Sequence, residues 1–263
     1  MLIGKAGPAT TSICTADAAS VTVRGRDLTS DLMGRLSFTQ YFFLLLTGRE
    51  PTEQQAYFLD VLLVAIAEHG LVPTNQVARM TYAADPASLQ GAVAAGILGC
   101  GTVVLGTADL CGRFLVEARR AMVEQGLDAA EASRRRAVKI RAEGGKVPGF
   151  GHPLHKPVDP RAERIFALAE ARGVSGDHVA LAKASVAAVQ AAWGKPLPMN
   201  VSMAIAAVLL DLDFPAAMIK AIPILARTGS LLAHLAEEQE RPIGFLMASH
   251  AEAAISYEPG DAV

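Results

Sequence analysis

Aromatic residues are scarce in this chain of 263 residues, at 5% with a single tryptophan, although hydrophobic residues make up 51%. Alanine, leucine and valine must fill most of the core, and such small side chains suit closely packed helices better than sheets. An excess of either charge is also missing. The formal net charge is −2, and the longest block of one sign is Arg134-Arg135-Arg136, which continues through Lys139 and Arg141 on a helical pattern and reads as a solvated face. A nucleic-acid footprint needs a broader basic surface with interleaved aromatics, so no nucleic-acid partner is expected. The three cysteines, Cys14, Cys100 and Cys111, have no CxxC spacing and leave an odd count. They read as buried, reduced thiols of a cytoplasmic protein. A basic region followed by an apolar run, the mark of a secretory signal, is absent from the N-terminus. One charge-free run, Pro86 to Ala108, is long enough to span a bilayer. It carries Gly91, Gly96, Gly99, Gly101 and Gly106 and no flanking aromatic belt, so a buried, glycine-faced helix pair is expected there and no membrane span.

What is present is helical punctuation. After a Thr-, Ser-, Ala- and Val-rich start that fits a short strand or extended arm, Ser37 precedes an apolar run from Phe38 to Leu46 that stops at Gly48. This reads as a buried helix with a serine cap and a glycine stop. Thr52 and Gln55 stand in capping-box spacing before a helix whose Phe58, Leu62, Leu63 and Ile66 share a face and which ends at Gly70. Asp128 opens another helix, ended by Gly144-Gly145. The stretch Lys146 to Pro157 holds too many prolines and glycines for helix or regular strand. Asp159-Pro160 then starts a helix that ends near Gly173, and further helices begin near Asp177, after Asn200 and after Pro215, the last interrupted at Pro223. The fold class is all-α.

Three segments carry a family resemblance. Val23-Arg24-Gly25-Arg26-Asp27-Leu28 with Leu45 to Thr52 resembles the RGxD…LLLTGxxPT stretch of citrate synthases. Gly149-Phe150-Gly151-His152-Pro153-Leu154-His155-Lys156 with Asp159-Pro160-Arg161 resembles their GFGHxxYKxxDPRA segment. Ala226-Arg227 through Ala233-His234, then Arg241-Pro242-Ile243, resembles their ARxxGxxAHxxE…RPI pattern, and Glu68-His69-Gly70 matches a (D/E)HG element. The compact spacing resembles the citryl-CoA lyase type, including the C-terminal module of ATP-citrate lyase.

The resemblance implies a multi-helical fold with a small lobe of roughly 70–212 set into a large lobe of 1–69 plus 213–263. It implies Claisen-type chemistry on a CoA thioester and a 2-oxo dicarboxylate, in a homodimer or higher homo-oligomer, with no tightly bound cofactor. Such chemistry needs a hydrogen-bond donor at each of two oxygens in a water-poor site, and cations for carboxylates. His69 and His152 are implied as the donors. Arg161, Arg227 and Arg241 are implied as the carboxylate ligands, suited by a planar fork that pairs two oxygens. The loop Val147-Pro148-Gly149-Phe150-Gly151 is implied to bind CoA, its glycines allowing close approach. Blander alternatives stand beside these: a helix-terminal histidine complementing a dipole for His69, an exposed first-turn arginine for Arg161. For Arg227, in an apolar stretch, burial demands a partner or ligand. His152 and His155 are also spaced as an incidental His-x-x-His or half of a metal site, but no other ligand cluster accompanies them and no metal is expected.

One departure stands out. Citrate synthases carry an aspartate in an Asn-Val-Asp motif as the base for the acetyl methyl proton, and here Asn200-Val201 is followed by Ser202. A serine hydroxyl without an activating neighbour is a poor base, so two expectations follow. The chain is a lyase or condensing enzyme in which water, Asp211 or Glu237 replaces the base, or it is a non-catalytic CoA-thioester or oxo-acid binding homologue. The family's histidine in the glycine-rich segment is also missing, with Leu98-Gly99-Cys100-Gly101-Thr102 in that region.

Overall fold

The computed structural model describes residues 9–258, which fall into two compact units divided between Asp60 and Val61. In the first, β1 (Cys14–Ala16), β2 (Val21–Val23) and β3 (Arg26–Asp27) form an antiparallel sheet in sequential order. Arg24 and Gly25 make the turn between β2 and β3 with φ of 51° and 79°, the left-handed pair that a two-residue hairpin requires. The Arg24 guanidinium donates to the Leu45 carbonyl and so ties the turn to α1 (Phe38–Thr47). Ser37 and Gln40 form a full capping box at the start of α1, and Gly48 closes it in the left-handed conformation. The helix is less buried than its apolar sequence implies: Phe43 and Leu44 face inward, whereas Phe38 is exposed. Thr52 caps α2 (Glu53–Ala67) by accepting from the Gln55 amide, and α2 stops three residues before Gly70.

The second unit contains α3 (Pro73–Ala84), α4 (Leu89–Leu98), α5 (Thr107–Gln125), α6 (Ala129–Ala142), α7 (Pro160–Ala171), α8 (Asp177–Trp193), α9 (Val201–Asp211), α10 (Ala221–Glu240) and α11 (Gly244–Ala254). The charge-free run therefore becomes a ten-residue helix, a turn, and the start of α5, not one long helix. Its glycine face is real at Gly96, where a Cβ would lie 2.7 Å from Leu231 Cδ1 and 2.9 Å from the Thr74 carbonyl, so α4 packs closely on α10 and α3. The longest apolar helix is instead Ala216–Glu240, long and apolar enough by length and composition alone to cross a bilayer. Its buried Arg227 and Glu238 have partners within the protein. Pro223 does not interrupt α10. It sits in the first turn, where a missing N–H costs no helix bond.

The most enclosed element is α9, with every residue from Val201 to Leu210 buried among α5, α7 and α8. That explains a sequence apolar all round. Cys100 and Cys111 are buried as expected, but Cys14 is exposed on the edge strand β1.

Candidate active site

The N-terminus of α9 is a junction. Asp159, fully buried, accepts from the Arg161 backbone amide and, through both oxygens, from the Arg161 guanidinium at 3.0 and 2.8 Å. It also accepts from the Val201 amide at 3.0 Å. Burial works against its charge, but the Arg161 bonds and the Val201 amide outweigh it and hold the carboxyl below the usual range. One carboxylate thus joins the starts of α7 and α9 and aims Arg161.

The irregular stretch before α7 is sewn to the same place. The Asn200 amide donates to the Gly149 carbonyl at 2.8 Å, and Gly151 N–H donates to the Pro198 carbonyl at 2.7 Å. The two glycines of this loop serve different needs. A Cβ on Gly149 would lie 2.8 Å from Cys111 Sγ and 2.9 Å from Met203 Cβ, so that glycine is required by core packing, not by a ligand. Gly151, at φ 88°, has open space beside it and is the one a ligand can approach.

Two cavities meet at this loop. The first, about 630 Å³, is lined by His69, His152, Arg161, Ser202 and Arg227, with Val103, Val104 and Leu105 among its apolar wall. The second, about 740 Å³, is lined by Lys156, Lys195, Gln190, Phe166 and Val186. Gly151 and His152 line both. Five of the residues singled out in the sequence therefore converge on one wall. Arg241 does not: it is exposed at the end of α10, and its carbonyl accepts from Arg79. Of the loop Val147–Gly151, only Gly151 lines these two cavities, while Val147 and Gly149 are buried.

The histidines are organised by their neighbours. His152 Nδ1 accepts from the Leu154 and His155 amides at 3.1 and 2.9 Å, so the neutral ring carries its proton on Nε2. Burial, with His155 beside it, pushes the His152 pKa down; burial and the Arg161 charge do the same to His69. Both rings therefore favour the neutral form, a donor of modest acidity. His155 stacks on His152 at 4.3 Å and places its Nε2 3.1 Å from that of His69. These three are the only group of metal-ligating side chains found close together among the described residues. As a metal site they fit poorly. The backbone amides claim His152 Nδ1 and so leave the proton on Nε2, whereas a ligating histidine donates its far N–H to a carbonyl or carboxylate.

Behind the wall lies a network the sequence did not disclose. Asn75 on α3 donates to Glu68 at 2.9 Å and to the Gly70 carbonyl at 2.8 Å, and accepts from Arg227 Nη1 at 2.7 Å. His234 Nε2 is 2.8 Å from Glu68 and its Nδ1 3.2 Å from Arg79, which also pairs with Glu237 and Glu238. The Glu68-His69-Gly70 turn is thus clamped from α3 and α10. Arg227 Nε is buried with no partner, on a residue that lines the cavity. Asn75 and Arg79 carried no motif, and only their place on one face of α3 could have hinted at this role.

Ser202 sits in the first turn of α9, its amide donating to the capping Asn200 side chain, and lines the cavity. Neither carboxylate considered as a replacement base is near it. Asp211 is engaged by the amides of Gly176, His178 and Val179 and by the His178 ring at 2.8 Å, capping α8 from the far end of α9. Glu237 is half-exposed and paired with Arg79.

Comparison with known proteins bears on the family and the fold. The family model described as Citrate synthase, C-terminal domain, matches residues 9–244. The chain is 29% identical over 209 residues to a citrate synthase of Heyndrickxia coagulans, covering 78% of this chain and 53% of that protein. It is 32% identical over 201 residues to a putative citrate synthase 2 of Mycobacterium tuberculosis, covering 72% and 49%. It spans about half the length of the curated relatives it matches. Among solved structures, a citryl-CoA lyase from Hydrogenobacter thermophilus aligns with a TM-score of 0.83 at 28% identity, over 97% of this chain and 96% of that one. ATP citrate lyase from Methanothrix soehngenii, in complex with citrate and coenzyme A, aligns with a TM-score of 0.78 over 98% of this chain and 43% of that one. At 22% identity that likeness concerns the fold alone.

Proposed function

Because the chain belongs to the citrate synthase family, we propose that it is a citryl-CoA lyase-like enzyme, breaking or making the carbon–carbon bond between the acetyl unit of a CoA thioester and oxaloacetate or a related 2-oxo acid. The observation that carries this is the pair of cavities sharing Gly151 and His152. A ligand with a bulky phosphate-bearing end and a small reacting end needs such a plan. Lys156, Lys195 and the apolar face of Phe166 suit the nucleotide end of a CoA, which takes no tightly bound cofactor beside it. The histidines and arginines of the smaller cavity suit the reacting end.

In cleavage, the citryl hydroxyl passes its proton to water as its oxygen becomes the carbonyl oxygen of oxaloacetate, the bonding pair moves to the thioester enolate, and the enolate carbon takes a proton from water to become the acetyl methyl. His152 Nε2–H faces the first oxygen and His69 the second, so both developing charges meet donors that need no rearrangement. Arg161, held by Asp159, and Arg227, with Nε unfilled, bind the carboxylates. With Asp211 and Glu237 committed elsewhere, a water hydrogen-bonded to Ser202 is the group left to exchange the methyl proton. Arg241 belongs to this scheme only across a subunit contact, which accords with a homodimer; the two-lobe division at 70–212 and a cytoplasmic location complete the proposal.

The test is thiol release from acetyl-CoA with oxaloacetate, and oxaloacetate release from citryl-CoA, by wild type, His152→Ala and Ser202→Asp. Turnover lost in His152→Ala supports the lyase, and Ser202→Asp, restoring a base, should accelerate it by about 10²-fold or more. Absence of turnover together with calorimetric absence of CoA and oxaloacetate binding would sink the proposal. Binding without turnover, rescued by Ser202→Asp, would favour the second reading that the serine motivates: a homologue that binds a CoA thioester without reacting it.

A further inference from the structure

His155 is not needed by the scheme above, yet it touches both histidines in it. Its backbone amide donates to His152 Nδ1 at 2.9 Å, its ring stacks on His152 with an interplanar angle of 30°, and its Nε2 lies 3.1 Å from His69 Nε2 in a nearly perpendicular ring pair. Two nitrogens at that distance share one proton. If His69 gives it, His69 Nδ1 is bare and the ring cannot donate to an enolate oxygen. If His155 gives it, His69 carries its proton on Nδ1.

We propose that His155 is a positioning residue that donates Nε2–H to His69 Nε2 and thereby holds His69 in the Nδ1–H tautomer, ready to donate to the thioester oxygen. The proposal rests on the functional reading only for what Nδ1–H is used for; the tautomer itself does not depend on it. Two features favour this arrangement. Whether singly or doubly protonated, His155 can present an Nε2–H. The burial of His69 and the nearby Arg161 charge favour its neutral ring, which has one proton to place. His155 would then fix both donors, His152 through its backbone and His69 through its ring, as the partner of a catalytic histidine does when it sets a tautomer.

The experiment is long-range proton–nitrogen correlation spectroscopy of the full chain labelled at its six histidines, assigned by single substitutions. The expected result is a protonated-type signal at His69 Nδ1 and a bare-type signal at Nε2. In His155→Phe, which keeps a flat ring against His152, His69 should become a mixture of tautomers. The kcat for citryl-CoA cleavage should fall by about 10²-fold, with oxaloacetate affinity unchanged. His155→Gln, whose amide can donate, should keep the Nδ1–H form and most of the rate. If the Phe variant does not fold, the wild-type spectrum and the Gln variant decide. A bare Nδ1 in wild type, or a His69 tautomer indifferent to His155→Phe, overturns the proposal. So does one equivalent of zinc shifting all three rings together, because both Nε2 atoms would then be ligands. A His69 tautomer that responds as stated in a protein without turnover supports the positioning role and overturns the functional reading instead.

Discussion

Arg79 and Arg227 lie on neighbouring helices of one unit and are equally buried, each 2% exposed, yet they are built to opposite ends. Arg79 is saturated. Its guanidinium meets Glu238 at 2.6 Å, Glu237 at 2.7 Å, His234 and the Arg241 carbonyl. Burial opposes its charge, but the two carboxylates outweigh that and raise its pKa. Arg227 has one good bond, to Asn75 at 2.7 Å, and longer contacts to Glu68 and Ser230 at 3.4 and 3.5 Å. Burial wins there and lowers its pKa, with Glu68 offsetting only part. A buried cation with its partners supplied is architecture; one left short at a cavity wall is, on the proposed function, where a substrate carboxylate binds.

The sharpest way to break this contrast is to remove each arginine. Arg79→Met leaves Glu238 buried and unpaired, with the amides of Ile243 and Gly244 as its remaining partners. It should cost about 3–5 kcal/mol in urea unfolding. Arg79→Met with Glu238→Leu should recover most of that loss, since the buried charge is then gone. A single-variant loss under about 1 kcal/mol would reduce Arg79 to a surface-type pair. Arg227→Met should do the reverse. It removes a cation that burial already disfavours, so stability should move by no more than about 1 kcal/mol. Oxaloacetate affinity, measured by calorimetry, should fall by about 10- to 100-fold, the worth of charge-assisted hydrogen bonds at about 1.5–3 kcal/mol. Unchanged affinity, or a stability loss as large as that of Arg79→Met, would erase the distinction.

The same contrast marks what could be read from the sequence. Helix ends written in local chemistry were legible: the Ser37–Gln40 box, the Asp128 cap, Asp159-Pro160 and the Gly48 stop form as their residues dictate. Arg227 drew notice as an arginine in an apolar helix, whereas His69 and His152 were singled out through the family resemblance, and all three line one cavity. Arg79 was not legible, because its partners Glu237 and Glu238 are more than 150 positions away and nothing local requires them. The Gly149 and Gly151 pair shows the same limit. Both are needed, but only packing against Cys111 and Met203 shows that one serves the core and the other the cavity. His155 looked incidental until its ring was placed against His69.

Acid titration should separate the two regions by a smaller effect. On the cavity wall, burial depresses the pKa of His69 and His152, so the unfolded chain binds protons before the folded one does. Their contribution is present above the ordinary histidine value of about 6.5 and is lost as pH falls below it. In the network, Glu68 and Glu237 are held below the ordinary carboxylate range. Hydrogen bonds from His234, Ser230 and Asn75 outweigh burial for the first, and Arg79 acts on the second. Their contribution survives the histidine window and disappears only as pH falls below about 4. Urea midpoints taken from pH 8 to pH 3 should therefore decline in two steps. The step near neutrality should shrink in His152→Gln, and the acid step should stay where it was. A near-neutral slope identical in wild type and His152→Gln would mean that the histidine ring is solvated like a surface group. The neutral donor that the chemistry requires would then owe nothing to the cavity.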